Sequence, residues 1–142
     1  MKALELRIGN TVDSWRIGGE WVPTQVQDGR VLDFIAQNED IYRLITLTEE
    51  WLTKLRFVSR RTTPHIQYER PIDHTTILII QLDGTNGWIA AIEELQYDKH
   101  NEGRVASVTI AHSRGLHRLQ NLWFELTSTE LNVSSRTPNT EE

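Results

Sequence analysis

Short apolar runs separated by turn residues fill the first 45 positions of the chain. Residues 4–8 alternate between apolar and polar side chains, which places one face of a strand inward. The pairs Gly18-Gly19 and Asp28-Gly29 are typical of tight hairpin turns, because glycine readily adopts the positive φ that such turns need. The predicted strands lie at residues 4–8, 15–17, 20–26, 31–35 and 41–45. This pattern predicts an antiparallel meander, as a small curled sheet or an SH3-like barrel.

Helix signals follow this meander. Thr48 is a suitable N-cap, and the two glutamates after it oppose the helix dipole in the first turn. Trp51, Leu52 and Leu55 recur at helical spacing and form one apolar stripe. The pattern therefore predicts a helix over about residues 49–56.

A second meander and a second helix are predicted in the rest of the chain. The glycine-rich loop 83–87 is a hairpin signal between two of the most apolar runs. The predicted strands lie at residues 57–59, 66–68, 76–82, 88–95 and 104–111. Ser113 is the predicted N-cap of the helix, whose apolar positions recur every three or four residues. Those positions are Leu116, Leu119, Leu122, Trp123 and Leu126.

These elements predict an α+β fold with two antiparallel β-meanders, each followed by one helix. The 142 residues suit one domain over residues 1–133, with halves at 1–57 and 58–133, each a meander plus a helix. Residues 134–142 carry no apolar side chain, which predicts a disordered tail. The helix residues expected to be buried are Trp51, Leu55, Leu119, Leu122 and Leu126.

Composition limits the possible classes of function. The chain has no cysteine, which excludes a disulfide scaffold, a thiolate zinc site and a cysteine nucleophile. The formal net charge of −5 argues against general nucleic-acid binding, which needs a clustered excess of lysine and arginine. The apolar run 77–82 is too short to span a bilayer, and the charged start does not resemble a signal peptide. We expect a cytoplasmic protein with no membrane association and no cofactor.

Three segments resemble motifs of a family of small uncharacterised proteins. Residues 5–10 read ELRIGN, residues 47–52 read LTEEWL, and residues 116–127 read LHRLQNLWFELT, which is similar to the family's VHQLQNLYFALT. The family is common in Bacteroidetes-type bacteria, their phages and prophages. The resemblance covers nearly the whole chain, with Arg118 where the family has glutamine and a longer stretch before the closing motif. It implies no activity and no catalytic residues, but it favours a phage or prophage accessory protein in a bacterial host cell. Each motif also has a structural explanation as a turn, a capped helix start or a helix that covers the sheet.

A group of basic residues lies at the predicted junction between the last strand and the second helix. A helix N-terminus attracts anions through its free N–H groups and its partial positive charge. His112, Arg114, His117 and Arg118 are therefore candidate contacts for a phosphate or carboxylate, although ordinary surface charges explain the same residues. No metal site is expected, because the spacing of the two histidines does not place both rings on one helix face.

Other candidate residues are aromatic or charged. Trp15, Trp21 and Trp88 flank predicted hairpin turns, where a half-exposed ring could stack on a base or anchor a partner. The basic stretch 54–65 could meet an acidic partner or a nucleic-acid backbone, or form a solvated helix end and loop. Asp73 precedes a histidine and two threonines, but neighbours in sequence rarely form a catalytic triad.

These features favour a non-enzymatic binding or interaction module whose partner is a host protein or a small anionic ligand. The first alternative is a sponge that sequesters a nucleotide-like signal and so counters host defence. The second is a hydrolase or transferase that acts on nucleotides through Asp73 or a histidine. An enzyme needs a convergent acid–base set in a cleft, which no sequence pattern indicates here. The oligomeric state is left open.

Overall fold

The computed structural model describes residues 6–61, 66–84, 87–97 and 103–132, so the predicted tail 134–142 lies outside the described residues. In these ranges no helix is long and apolar enough to cross a membrane. In chain order, the elements are β1 (Thr11–Arg16), β2 (Glu20–Gln25), α1 (Gly29–Gln37), a 3-10 turn (Glu39–Ile41), β3 (Tyr42–Arg43), α2 (Glu49–Lys54), β4 (Val58–Arg61), β5 (Ile66–Pro71), β6 (Thr76–Leu82), β7 (Gly87–Tyr97), β8 (Gly103–Arg114) and α3 (Leu116–Thr127).

The fold is α+β, as the sequence predicts. One antiparallel sheet has the strand order β2-β1-β3 and the other has the order β4-β5-β6-β7-β8. The chain divides into two compact units, residues 1–46 with 115–142 and residues 47–114. The first unit contains the small sheet with α1 and α3, and the second contains the large sheet with α2. Neither sheet closes into a barrel within the described ranges, so the small sheet does not take the SH3-like form.

The prediction of a strand at residues 31–35 is wrong, because α1 occupies this segment. The Asp28 carboxylate accepts hydrogen bonds from the backbone N–H groups of Arg30 (2.9 Å) and Val31 (3.1 Å), as an N-cap does. Val31 and Ile35 are one helical turn apart and both pack in the core of the first unit. Asp28 therefore starts a helix instead of a hairpin.

The start of the chain also differs from the prediction. Residues 6–8 form no strand and lead into a turn, whereas residues 4 and 5 lie outside the described ranges. Asn10 closes this turn, because its carboxamide oxygen accepts a hydrogen bond from the Arg7 backbone N–H at 2.7 Å. A polar side chain that binds nearby backbone in this way competes with strand pairing. The first strand of the unit is therefore β1.

The predicted hairpin between β1 and β2 is present, but its loop has three residues. Arg16 pairs with Glu20 and Trp15 pairs with Trp21, so residues 17–19 form the turn. The Gly19 N–H donates to the Arg16 carbonyl at 2.9 Å, and Gly19 has a φ of 85°. A turn followed by one left-handed residue is the usual three-residue hairpin. This register places the two tryptophans directly opposite each other.

The strands of the second meander are confirmed. All five form one antiparallel sheet in sequence order, with bounds close to those predicted. Leu78, Ile80, Ala90 and Tyr68 are buried on this sheet. Long alternating runs with tight turns are the clearest strand signal in a sequence, because each strand pairs with its neighbour in the chain.

The two predicted helices exist, but only one has the predicted cap. Thr48 caps α2, since its hydroxyl accepts a hydrogen bond from the Trp51 N–H at 3.3 Å. The helix ends two residues earlier than predicted, and Arg56 follows it in the left-handed region with a φ of 69°. Ser113 caps nothing, because it still belongs to β8, and Gly115 stands at the N-cap of α3 without a side-chain bond.

Side-chain hydrogen bonds join α2 to the large sheet. The Tyr68 hydroxyl donates to the Glu49 carboxylate at 2.6 Å, and the Arg70 guanidinium donates to the Leu55 carbonyl at 2.7 Å. Burial, together with the neighbouring Glu49, raises the pKa of Tyr68 to about 12. The Tyr68 hydroxyl therefore remains a proton donor over the whole physiological pH range.

The predicted core of the helices is correct in part. Leu55 and Leu119 are buried, whereas Trp51, Leu122 and Leu126 are only half-buried. The inward face of α3 instead carries polar as well as apolar side chains. Its buried residues are Leu116, His117, Leu119, Gln120 and Trp123.

Candidate functional site

A pocket of about 470 Å³ lies in the first unit. Its lining comes from β1, β2, α1, the 3-10 turn and β3, so every element of the small sheet contributes. The lining residues are Ser14, Trp15, Arg16, Thr24, Arg30, Val31, Phe34, Ile41 and Tyr42. This volume lies in the range that suits a small-molecule ligand.

Hydroxyl groups order the strand side of the pocket. The side-chain oxygens of Ser14 and Thr24 are 2.7 Å apart and form a hydrogen bond across β1 and β2. Both hydroxyls also lie 3.3 Å from the Val22 carbonyl. Since each hydroxyl has one hydrogen, one of them donates to the other hydroxyl, and the second is the one that donates to this carbonyl. The Arg16 guanidinium donates to the Thr24 hydroxyl at 3.3 Å. One guanidinium edge of Arg16 is therefore held by the sheet.

The helix side of the pocket supplies a second arginine and aromatic surface. The Asp28 cap determines where α1 begins, and Arg30 is exposed in its first turn. Phe34 lies one turn later, with its ring edge-on to that of Tyr42 at a centroid distance of 6.2 Å. Phe34 is 53% exposed, so its ring is accessible to a ligand.

The chemistry of this lining suits recognition of an anion. Guanidinium groups bind phosphate or carboxylate through paired, charge-assisted hydrogen bonds, and aromatic rings take up a planar group. Arg16 and Arg30 both line the pocket, and its lining contains no carboxylate and no histidine. The pocket therefore offers groups that bind and orient a ligand, but no carboxylate or imidazole for proton transfer.

The four residues predicted at the strand–helix junction belong to different units. His112 and Arg114 lie in β8 of the second unit, where the His112 ring is 3.1 Å from the Asp83 carboxylate. His117 and Arg118 lie in α3 of the first unit. His117 is 2% exposed, whereas the other three residues are exposed.

The tryptophans predicted to stack or to anchor a partner also have different environments. Trp15 and Trp21 form an edge-to-face pair with ring centroids 5.3 Å apart, and Trp15 is exposed and lines the pocket. The Arg43 guanidinium lies 4.2 Å from the Trp21 ring centroid and 3.1 Å from the Asp13 carboxylate. Trp88, by contrast, is 1% exposed and lies in the core of the second unit.

Two cations of the basic stretch 54–65, Lys54 and Arg60, form contacts within the second unit. Lys54 pairs with Glu50 at 3.9 Å and lies over the Trp51 ring. The Arg60 guanidinium donates to the Glu93 carboxylate at 2.7 Å. Residues 62–65 lie outside the described ranges. Lys54 and Arg60 therefore fit the explanation as ordinary charges of a helix end and loop better than a role in binding a nucleic acid.

The Arg60–Glu93 pair predicts how stability depends on pH. The hydrogen bond and charge of Arg60 hold the pKa of Glu93 below its ordinary value of 4.5. The stabilisation is therefore present above about pH 4.5 and is lost as the pH falls through the pKa of the folded state. Between pH 6 and pH 3, the wild type should lose about 1 kcal/mol more than Glu93→Gln in urea unfolding.

A matched variant controls for general effects of acid. Glu50 is mostly exposed and makes only a long contact to Lys54, so Glu50→Gln should keep the pH dependence of the wild type. Equal acid sensitivity in Glu93→Gln and in the wild type would show that this pair does not carry the effect.

The segments that resemble the opening and closing family motifs meet in the first unit. The Arg7 guanidinium donates to the Asn121 carboxamide oxygen at 3.0 Å, and the Asn10 carboxamide donates to the same oxygen at 2.9 Å. The Thr11 N–H donates to the Gln120 side chain at 2.8 Å. The opening motif and the first residue of β1 are therefore joined to the closing motif in α3, which favours the structural explanation of both motifs.

The residues of the pocket were not identified from the sequence, apart from Trp15. Phe34 fell in a segment predicted as a strand and Arg30 directly follows the Asp28-Gly29 pair that was interpreted as a hairpin turn, so neither residue was assigned to a helix face. The available signal was the helix cap Asp28 followed by apolar residues at helical spacing. Arg16 and Thr24 carry no motif, because their proximity depends on the hairpin register.

Comparison with known proteins adds no function. No protein-family model, no curated protein and no solved structure matches this chain. Within the part of the chain that the structure describes, no three histidine, aspartate or glutamate side chains are grouped so that they could hold a metal ion. Function therefore has to be inferred from the pocket and from the exposed surfaces.

Proposed function

We propose that this protein is a non-enzymatic binding module whose pocket in the first unit takes a small anionic ligand with a planar aromatic part, such as a nucleotide. The supporting observation is that Arg16 and Arg30 line one pocket together with the rings of Phe34 and Tyr42. The arginines would bind the anionic group, and the rings would contact the planar group.

The family resemblance supplies a biological context for this proposal. In a phage or prophage accessory protein, binding without turnover would lower the free concentration of a signalling nucleotide. Such a sponge would counter a host defence that depends on that nucleotide. The absence of carboxylate and imidazole groups from the pocket lining favours sequestration over hydrolysis or group transfer at this site.

Removal of either pocket arginine should weaken binding. A charge-assisted hydrogen bond contributes roughly 1.5–3 kcal/mol, so Arg16→Ala or Arg30→Ala should raise the Kd for a nucleotide about ten- to a hundredfold. Both side chains are exposed, so the fold should tolerate the changes. Isothermal titration with mononucleotides, dinucleotides and the matching neutral nucleosides measures the effect. Affinity for the neutral nucleosides should change much less.

Control variants separate this pocket from other sites. Arg43→Ala removes an arginine of the same unit that contacts Trp21 and does not line the pocket, and it should leave the Kd unchanged. Arg114→Ala and Arg118→Ala test the predicted site at the strand–helix junction. Binding that depends on those two arginines and not on Arg16 or Arg30 would move the site there. If no nucleotide binds, the small-ligand proposal is wrong.

A further inference from the structure

The pocket of the first unit carries its charge at the rim and not in its interior. The rim is formed by Arg16 and Arg30, which are both exposed. In the interior, Ser14 is 3% exposed, and Thr24 and Tyr42 are half-buried. Apart from the two arginines, the lining residues are uncharged. An anionic group would therefore bind at the rim, where it keeps part of its hydration, and a planar group would enter the interior.

The hydroxyls of Ser14 and Thr24 have no hydrogen left for a ligand. Their oxygens are 2.7 Å apart, and each lies 3.3 Å from the Val22 carbonyl. Because a hydroxyl has a single hydrogen, one of the two donates to the other, and the second donates to the carbonyl. Both hydrogens are used in either arrangement, so these two groups can only accept hydrogen bonds from a ligand.

The same hydrogen bonds leave acceptor capacity on these oxygens. Each hydroxyl oxygen has two lone pairs. One lone pair of the pair of hydroxyls accepts the bond between them, and one on Thr24 accepts from the Arg16 guanidinium at 3.3 Å. Among the described residues no further side-chain bond reaches either oxygen, so two lone pairs remain. A ligand that enters displaces water from these acceptors and has to supply hydrogen-bond donors itself, because a buried polar group without a partner is costly.

Acceptor-only oxygens distinguish between the groups that a planar ligand can carry. An ionised phosphate or carboxylate oxygen has no hydrogen, so it would face these lone pairs without forming a bond. The carbonyl oxygen beside the ring N–H of a keto base, such as uracil or hypoxanthine, would do the same. An exocyclic amino group has two hydrogens to donate, which matches the two free lone pairs, and its nitrogen is not an acceptor. The interior therefore favours an amino group over a keto group.

We propose that the pocket holds its nucleotide with the base inside and the phosphate at the rim, and that it selects a base with an exocyclic amino group, as in adenine or cytosine. The amino group would donate to the oxygens of Ser14 and Thr24, while Arg16 and Arg30 would bind the phosphate. This selectivity rests on the nucleotide binding proposed above, because it concerns the same pocket.

Two pairs of nucleotides test the selectivity on the wild-type chain. Adenosine and inosine monophosphates differ by an amino against a keto group, and cytidine and uridine monophosphates differ in the same way. Isothermal titration should give a Kd about tenfold lower for the amino member of each pair that binds. Equal or tighter binding of the keto members would overturn the selectivity and leave the binding that depends on the arginines intact. If none of the four nucleotides binds, both proposals are wrong.

Two variants separate the hydroxyls from the rim. Ser14→Ala combined with Thr24→Val removes both hydroxyls with little change of shape, and it should make the amino and keto nucleotides bind with equal affinity. Arg30→Ala should weaken both members of a pair by the same factor and keep their ratio, because Arg30 would contact only the phosphate. An amino preference that survives in the folded double variant, or one that Arg30→Ala abolishes, would contradict selection by the hydroxyls. The comparison on the wild type does not depend on whether the double variant folds.

Discussion

Replacing Leu119 with alanine is expected to lower the free energy of unfolding by about 2–5 kcal/mol. Leu119 is fully buried on the inward face of α3, so truncation leaves a cavity that its neighbours can fill only in part. A loss of this size is a large share of the roughly 5–15 kcal/mol that stabilises a typical domain. Urea unfolding followed by circular dichroism measures the difference from the wild type.

Leu122→Ala provides the matched comparison on the same helix. Leu122 is half-buried, so its truncation removes fewer contacts and should cost clearly less than that of Leu119. The two leucines belong to one predicted apolar stripe, which gives no reason for a difference between them. Equal losses in the two variants would contradict the observed orientation of α3.

Replacing Gln120 with alanine is expected to cost about 2–4 kcal/mol, although the residue is polar. The Gln120 side chain is buried, accepts a hydrogen bond from the Thr11 N–H at 2.8 Å and donates to the Leu131 carbonyl at 2.9 Å. Alanine would leave both backbone groups without this partner, and an unsatisfied buried polar group costs about 1–3 kcal/mol. The same urea titration measures the loss.

Glu125→Ala is the control for this prediction. Glu125 is on the exposed face of α3, so its removal should change stability by no more than about 0.5 kcal/mol. If Gln120→Ala were as mild as Glu125→Ala, water or a rearranged neighbour would have to satisfy the two backbone groups. In that case, the hydrogen bond that Gln120 accepts from Thr11 would not be what joins β1 to α3.

The inward face of α3 shows why apolar spacing alone identified only part of the core. The sequence pattern selected leucines and therefore included Leu122 and Leu126 in the stripe. The structure buries His117 and Gln120 instead, because the Gln120 carboxamide satisfies backbone groups that β1 and the segment after the helix present. A polar residue can replace an apolar one inside a protein only where such partners exist. Those partners come from distant parts of the chain.

The short apolar run at residues 31–35 shows a second limit of prediction from the sequence pattern. A run of this length fits a buried strand or one face of a helix, and periodicity cannot distinguish them. In the structure, the Asp28 side chain accepts hydrogen bonds from the first backbone N–H groups of this segment and so stabilises a helix. With α1 in place, Arg30 and Phe34 reach a pocket that also takes Arg16 from β1 and Tyr42 from β3. No sequence pattern joins residues from these separate elements.

The sequence by itself determined the α+β class, the five strands of the second meander and the capped start of α2. These features depend on interactions between near neighbours in the chain, such as side-chain alternation, tight turns and the Thr48 cap. Only the tertiary structure decided that α3 joins the small sheet, that four separate segments form the pocket, and that β8 is the long outer strand. Such features depend on which surfaces bury each other, and that choice is made by contacts between residues far apart in the sequence.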